Sequence, residues 1–387
     1  MFSRRTEWDL APNRLTEAVQ TARTAGQAFL DLTIANPTRA GISYDRAAVL
    51  DALRTETSLD YDPQPKGLLS AREAVASYYW NRGESVGAEN LVLTTSTSEG
   101  YSYVLRLLAD PGAEVLVPKP SYPLFEFLAD LQDVKLVPYP LIYDHGWQID
   151  LHSLERAVNG KSAAIVVVHP NNPTGSYVTG NERAQLNQLC AEHGIALIVD
   201  EVFLDYAHDG QSRPTFATNS EALTFTLSGL SKISALPQMK LAWIAVAGPQ
   251  ELAREAMARL EVIADTYLSV NAPVQLAASV LLEQRKSIQS QLTDRLRDNL
   301  CELDRQLSRD PACSRLDVEA GWYAVLRIPV TQSDEDLAIA LLRERAVLIH
   351  PGHFYDFPSD GYLVLSLITE PAVFREGISL VMNFQKH

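Results

Sequence analysis

Three short apolar runs in the middle of the chain constrain its fold more than any other feature. Residues 164–168, 195–199 and 223–227 consist of apolar or β-branched residues, and each run is five residues long. Runs of this length and composition are typical of strands that are buried on both faces, as in a sheet covered by helices on each side. Between residues 91 and 246 such runs alternate with helical segments, so we predict an α/β fold.

Seven strands are predicted in this region, joined mostly by helical crossovers. Because such crossovers connect parallel strands, we expect a mostly parallel seven-stranded sheet sandwiched by helices. In chain order the predicted strands are Leu91–Thr94, Glu114–Val117, Val134–Pro138, Ala164–Val168, Ala196–Val199, Leu223–Leu227 and Leu241–Val246.

The pattern changes after Pro249, where long helical periodicity replaces the short apolar runs. The elements predicted there are helices at Glu251–Asp265, Pro273–Leu307 and Ser333–Glu344, and strands at Val318–Arg327 and Tyr362–Leu367. A chain of 387 residues is also too long for one ordinary core. We therefore predict a large domain over residues 45–270 and a smaller α+β domain built from residues 1–44 and 271–387.

The composition is that of a globular protein with an acidic surface. Hydrophobic residues make up 46% of the chain, charged residues make up 21%, and the formal net charge is -15. This charge argues against nucleic acid or an anionic membrane as a partner. The sequence has neither a signal-peptide core nor an apolar run that could span a bilayer, and its three cysteines have unrelated spacings. We expect a cytoplasmic protein with no metal ion at its site.

A polar group with catalytic potential follows each of the three apolar runs. Asn172 follows the first run in His-Pro-Asn-Asn-Pro-Thr-Gly, Asp200 follows the second, and Lys232 follows the third in Ser-Gly-Leu-Ser-Lys. Ligands of open α/β sheets bind at the carboxyl ends of the strands. A lysine there can form a Schiff base, and an aspartate can keep a pyridine nitrogen protonated. This pair therefore suits pyridoxal 5'-phosphate (PLP).

The order of these motifs resembles that of the fold-type I PLP-dependent aminotransferases, the class I and II aminotransferase family. Tyr61–Gly67, Asp110–Pro123 and His350–Gly352 also resemble segments of that family, so the resemblance covers almost the whole chain. It implies a large PLP-binding domain and a homodimer whose active site is shared between subunits. It also implies a transfer of amino groups between small amino acids and 2-oxo acids through a Schiff base on Lys232.

The resemblance further implies roles for individual residues. Lys232 would hold the cofactor and move the proton, Asp200 would bind the pyridine nitrogen, and Asn172 would donate to the phenolic oxygen. The residues expected on the ring face and the phosphate are Tyr122, Thr97, Ser98, Ser231, Lys240 and, from the partner subunit, Tyr61. Each residue type also has an ordinary alternative, since Asn-Pro-Thr-Gly is a good turn sequence and Ser or Thr often caps a helix.

Three positions depart from the family pattern. Phe203 stands where a tyrosine is common, which removes one hydrogen bond to the cofactor. Val364 stands where typical members have the arginine that binds the substrate carboxylate, and Ala35 replaces a glycine beside the substrate. His353 and Tyr355, in the loop after Pro-Gly, are the candidates to replace that arginine.

Two other functions stay open at this point. The bond that breaks in a PLP enzyme depends on how the substrate carboxylate is held, and Val364 replaces the residue that usually holds it. Together with Phe203, this departure leaves open another PLP reaction, such as that of a β-lyase, a decarboxylase or a cyclase. A non-enzymatic binding module on the same fold is disfavoured, because both Lys232 and Asp200 are present.

Overall fold

The computed structural model describes residues 1–123, 125–309 and 311–384. The helices, in chain order, are α1 (Arg14–Thr24), α2 (Arg46–Ala52), α3 (Leu69–Trp80), α4 (Thr97–Leu108), α5 (Phe125–Asp130), α6 (Leu151–Ala157), α7 (Gly180–His193), α8 (Leu230–Ile233), α9 (Gln250–Asp265), α10 (Ala272–Leu276), α11 (Ala278–Glu283), α12 (Arg285–Leu307), α13 (Asp334–Arg345) and α14 (Pro371–Phe384).

The strands are mostly short. In chain order they are β1 (Leu30–Asp31), β2 (Leu91–Thr94), β3 (Glu114–Lys119), β4 (Lys135–Tyr143), β5 (Trp147–Ile149), β6 (Ser162–Val168), β7 (Ala196–Asp200), β8 (Thr224–Gly229), β9 (Ala242–Ala247), β10 (Ser314–Arg315), β11 (Tyr323–Arg327), β12 (Val347–Leu348), β13 (His350–Pro351) and β14 (Tyr362–Ser366).

The main sheet has the order β2-β9-β8-β7-β6-β3-β4-β5. Its five central members, β8, β7, β6, β3 and β4, run parallel, whereas β9 pairs antiparallel with both of its neighbours. On one face of the sheet Ile198 belongs to an apolar cluster with residues of α4 and α9, and on the other Leu197 and Val199 belong to a cluster with residues of α7. The predicted α/β fold with a mostly parallel, two-sided sheet is therefore confirmed.

Six strands of this sheet, the five central ones and β2, end at the same edge. β2 is antiparallel to β9, and β9 is antiparallel to β8, so β2 points the same way as β6, β7 and β8. Their last residues are Thr94, Val168, Asp200 and Gly229. We call this side of the sheet the carboxyl edge, and the segments that follow these four strands lie on it.

Two features of the sheet and helices differ from the expectation. The main sheet has an eighth strand, β5, which forms an antiparallel hairpin with the long strand β4. The single helix expected over residues 273–307 is interrupted at Ala277 and Gln284, which separate α10, α11 and α12. At the second interruption the guanidinium of Arg285 donates to the backbone carbonyl of Leu282 at 2.9 Å, so a side chain competes for a helical acceptor.

The C-terminal part has a sheet of its own, with the antiparallel order β10-β11-β14-β13. β1 pairs with β12, which brings the N-terminal segment against this part of the chain. The division into residues 45–270 and the two flanking stretches stays a prediction. Within the described residues, no helix combines the length and apolar character needed to cross a membrane.

Candidate active site

Lys232 lies on α8, directly after β8, in an aromatic setting. Its amine is 4.9 Å from the ring centroid of Trp322 and 5.5 Å from that of Phe203. Burial lowers the pKa of Lys232 to about 8, against the opposing attraction of Asp200. The amine therefore loses its proton far more readily than that of an ordinary surface lysine.

Asp200 is the last residue of β7 and lies close enough to affect the charge of Lys232. Its carboxylate accepts hydrogen bonds from the Tyr101 hydroxyl at 3.2 Å and from the backbone N–H of Val202 at 3.1 Å. Burial raises the pKa of Asp200 to about 6, although these two hydrogen bonds and Lys232 lower it. A carboxylate fixed in this way can hold a cationic ring nitrogen.

Hydrogen bonds of the Asn171 side chain hold the loop after β6 together, whereas the side-chain oxygen of Asn172 takes no part in them. The Asn171 amide donates to the carbonyl of Pro120 and to the hydroxyl of Thr174, and it accepts from Ser121. The Asn172 side-chain oxygen is buried and has no hydrogen-bond partner among the described residues. Because buried polar atoms are normally paired, this unpaired oxygen shows that the turn does not use the Asn172 amide, which stays available to a ligand. The turn therefore accounts for the asparagine at position 171 but not for the asparagine at position 172.

Gly175 closes this loop in a left-handed conformation with φ of 70°. A Cβ atom there would lie 2.3 Å from the carbonyl oxygen of Ala320 and 2.4 Å from a methyl group of Val318. We expect Gly175→Ala to cost about 2–5 kcal/mol, the sum of left-handed strain and overpacking.

The matched control is Gly194→Ala at the end of α7, where φ is 66° and no atom lies within 4 Å of the added Cβ. This variant isolates the backbone strain, about 1–2 kcal/mol. Thermal unfolding midpoints of both variants test the prediction, and equal decreases would contradict it.

The start of α4 offers anion-binding groups at the same edge. The Ser96 hydroxyl caps the helix by accepting from the backbone N–H of Glu99 at 3.2 Å. Thr97 and Ser98, the first two residues of the helix, are half-buried, and the helical ladder leaves their N–H groups without partners. Such N–H groups favour phosphate. Ser231 is half-buried beside Lys232, whereas Lys240 is exposed and has a left-handed φ of 54°.

The Tyr122 side chain is 45% exposed. Partial burial, together with the nearby negative charge of Asp200, raises the pKa of Tyr122. The ring is thus near the carboxylate that would bind the pyridine nitrogen, as stacking on the cofactor requires. Together with Lys232, Asp200 and the unpaired amide of Asn172, this ring makes the carboxyl edge fit PLP.

Three further predicted site residues are exposed in the single chain. Tyr61 is 84% exposed at the surface. Ala35 and His353 are exposed as well, and the ring of His353 contacts Phe354. The role expected of His353 stays a prediction.

Phe203 packs beside the lysine amine, and the nearby hydroxyl of Tyr206 is directed elsewhere. The hydroxyl of Tyr206 donates to the backbone carbonyl of Lys232 at 2.6 Å and is therefore already used. Glu201 has a structural role, since its carboxylate accepts from Thr215 and from the backbone N–H of Phe216.

Val364 is fully buried on β14, between Val325 on β11 and His350 on β13. Tyr355 is buried too, and its hydroxyl is 3.1 Å from Nδ1 of His350. His350 is therefore the direct cross-strand neighbour of the position where the family has its arginine.

Sequence reasoning missed Tyr101, Trp322 and His350. Tyr101 lies one turn after Thr97 on α4, so helical spacing from the predicted anion site could have identified it. Trp322 precedes β11 and gave no signal without the fold, because its ring reaches Lys232 from a distant part of the chain.

Comparison with known proteins bears on the family of this chain. A sequence profile described as "Aminotransferase class I and II" matches residues 32–371. The chain is 28% identical to glutamate-pyruvate aminotransferase AlaA of Haemophilus influenzae over 370 residues, which cover 93% of this chain and 91% of that protein. It is also 28% identical to alanine aminotransferase of Mycobacterium tuberculosis, over 89% of this chain and 82% of that one.

A solved structure supports the fold. The alanine aminotransferase from Pyrococcus furiosus superposes with a TM-score of 0.89 at 21% identity, and the match covers 100% of both chains. Profile, relatives and fold agree over nearly the whole length, and this chain belongs to the class I and II aminotransferase family.

Proposed function

We propose that this aminotransferase moves amino groups between amino acids and 2-oxo acids with PLP bound covalently to Lys232. The observation that carries the proposal is the environment of that lysine, whose amine lies among aromatic rings and near Asp200 at the carboxyl edge. With a pKa of about 8 for Lys232, roughly a tenth of the amines are neutral at pH 7. A neutral amine is the form that attacks a carbonyl carbon.

Each site residue then has a chemical task. Bound PLP supplies a ring that accepts the electrons released when the α-proton of the substrate leaves. Asp200 keeps the ring nitrogen protonated, and Tyr101 orients Asp200. The Lys232 amine would take the α-proton of the substrate and return it to the cofactor carbon that is bonded to the transferred nitrogen, while Trp322 and Phe203 would exclude water from its surroundings.

We propose L-alanine and L-glutamate as the first donors to test, because the relatives named above are alanine and glutamate-pyruvate aminotransferases. The alternatives among PLP reactions rest only on Phe203 and Val364, and no relative named here has such an activity in its name. Transamination is therefore the function that we propose.

We further propose a cytoplasmic homodimer. Large apolar side chains are exposed before α3, with Leu59 at 89% and Tyr61 at 84% exposure, and at its last residue, Trp80, with 72% exposure. Exposed apolar groups of this size favour an interface. A second copy on this surface agrees with the expected contribution of Tyr61 to the partner's phosphate site. The odd number of cysteines supports a reducing compartment.

Isotope transfer tests the reaction. The PLP-loaded protein is incubated with 15N-labelled L-glutamate and pyruvate, and we expect 15N-alanine and 2-oxoglutarate in equal amounts by mass spectrometry. Because other amino acids are candidates, the remaining donors are tested in the same way. Release of ammonia or carbon dioxide without a labelled amino acid would favour a lyase or a decarboxylase instead.

A further inference from the structure

An amino-acid substrate brings a carboxylate to the site, and the residues around Lys232 offer it little positive charge. Among the described residues, Asp200 alone contributes a charge to the pKa of Lys232, and that charge is negative. Val364 offers only methyl groups. The substrate carboxylate therefore needs hydrogen-bond donors from another part of the site.

The small sheet presents one face to the lysine. Tyr323 lies on this face, and its ring centroid is 6.3 Å from that of Phe203, which contacts the Lys232 amine. Side chains at directly opposed positions of antiparallel strands share a face, as do residues two positions apart on one strand. Val325 lies two positions after Tyr323 and is opposed by Val364, which is opposed in turn by His350. All four side chains thus face the same way.

His350 and Tyr355 form a hydrogen-bonded pair on that face. Nδ1 of His350 and the Tyr355 hydroxyl are 3.1 Å apart, and the ring of Tyr355 is 6.4 Å from that of Tyr323. Burial raises the pKa of Tyr355 well above its usual value, so its hydroxyl keeps its proton and can donate it to Nδ1. The proton of a neutral His350 then lies on Nε2, which has no hydrogen-bond partner among the described residues.

The His350 ring is also accessible to a small molecule. It is half-buried, and its outer side lines an open cleft beside α1 together with Arg23 and Phe354, a cleft that none of the residues described around the lysine amine lines. Burial lowers the pKa of His350 and the nearby Asp31 carboxylate opposes this, so the ring can accommodate a carboxylate neighbour. We propose that His350, oriented by Tyr355, binds the carboxylate of the amino-acid substrate. This inference rests on the proposed transamination, and it makes His350 a binding residue and Tyr355 its positioning residue.

Two variants and one control test this inference. His350→Val removes the donor, Tyr355→Phe removes one oxygen atom, and His353→Val alters the exposed histidine nearby. kcat and KM are measured with the best donor among the twenty L-amino acids and with the amine that lacks its carboxylate. The dissociation constant of 2-methylalanine, which has a carboxylate but no α-hydrogen, is measured from the visible absorption of the PLP-loaded protein.

We expect His350→Val to raise KM for the amino acid and the dissociation constant of 2-methylalanine by about 10- to 100-fold, with kcat changed less than about threefold. Tyr355→Phe should raise both constants by about three- to tenfold. The double variant should be little worse than His350→Val, because Tyr355 acts through His350. The carboxylate-free amine and His353→Val should show no such change.

Binding of the amino acid unchanged in both variants, or an equal loss for the carboxylate-free amine, would overturn the inference. If His350→Val fails to fold, Tyr355→Phe decides the matter alone. Failure of the proposed function has a separate signature, because the wild-type protein would then convert none of the twenty amino acids. The titration with 2-methylalanine would still test His350, since binding requires no turnover.

Discussion

Replacing Lys232 by alanine should abolish transamination, lowering kcat by about 10⁴-fold or more. The substitution removes the amine that would attach the cofactor and the group that would move the α-proton, and proton transfer alone contributes up to about 10⁴-fold. Borohydride reduction followed by mass spectrometry should find PLP on residue 232 of the wild-type protein and on no lysine of the variant.

Lys286→Ala is the matched control for this experiment. Lys286 is an exposed lysine on α12 that pairs with Glu283, so its amine is solvated. We expect full activity and normal attachment of the cofactor. If Lys232→Ala keeps a tenth of the wild-type kcat, or if the cofactor is attached elsewhere, the assignment of Lys232 is wrong.

Asp200→Asn should have the second largest effect, a decrease in kcat of about 10²- to 10³-fold. The amide cannot keep the ring nitrogen protonated, although its shape matches that of the carboxylate. In the wild-type protein Asp200 raises the pKa of Lys232, so its loss should move that pKa below about 8. Competitive acetylation of PLP-free protein at a series of pH values reports this pKa.

Tyr101→Phe should have a smaller effect than Asp200→Asn. It keeps the carboxylate and removes the hydrogen bond that lowers the pKa of Asp200, so the pKa of Asp200 should rise. We expect a kcat decrease of about tenfold, the cost of one hydrogen bond to a charged group. An Asp200→Asn protein with unchanged kcat and an unchanged pKa of Lys232 would disprove the role of Asp200.

Sequence patterns predicted the central sheet because its strands are buried on both faces. The runs before Asn172, Asp200 and Lys232 consist of apolar or β-branched residues, and the parallel order of their strands places these three residues at one edge. β5 was missed because it is three residues long and only its last residue is buried, so it lacks the continuous apolar run of the central strands. The prediction for each site residue still awaits the experiments above.

The region proposed to bind the carboxylate was harder to predict. Which of its side chains are buried depends on the orientation of one short helical turn. Gly352–Tyr355 forms a 3-10 helix with about three residues per turn. Gly352 and Tyr355 thus lie on its buried side, and His353 points outward. No periodicity is visible in four residues. The pairing of β13 with β14, which places His350 opposite Val364, is likewise a property of the tertiary fold.

The most direct test of the central claim is the visible absorption of the PLP-loaded protein during addition of single L-amino acids without any oxo acid. We predict that at least one donor bleaches the absorption of the bound aldehyde cofactor and forms its aminated form, and that a 2-oxo acid then restores the original spectrum. Reversal in both directions would establish two half-reactions on one enzyme. A spectrum that shifts without conversion, or that converts while ammonia or carbon dioxide is released, would contradict the assignment as an aminotransferase.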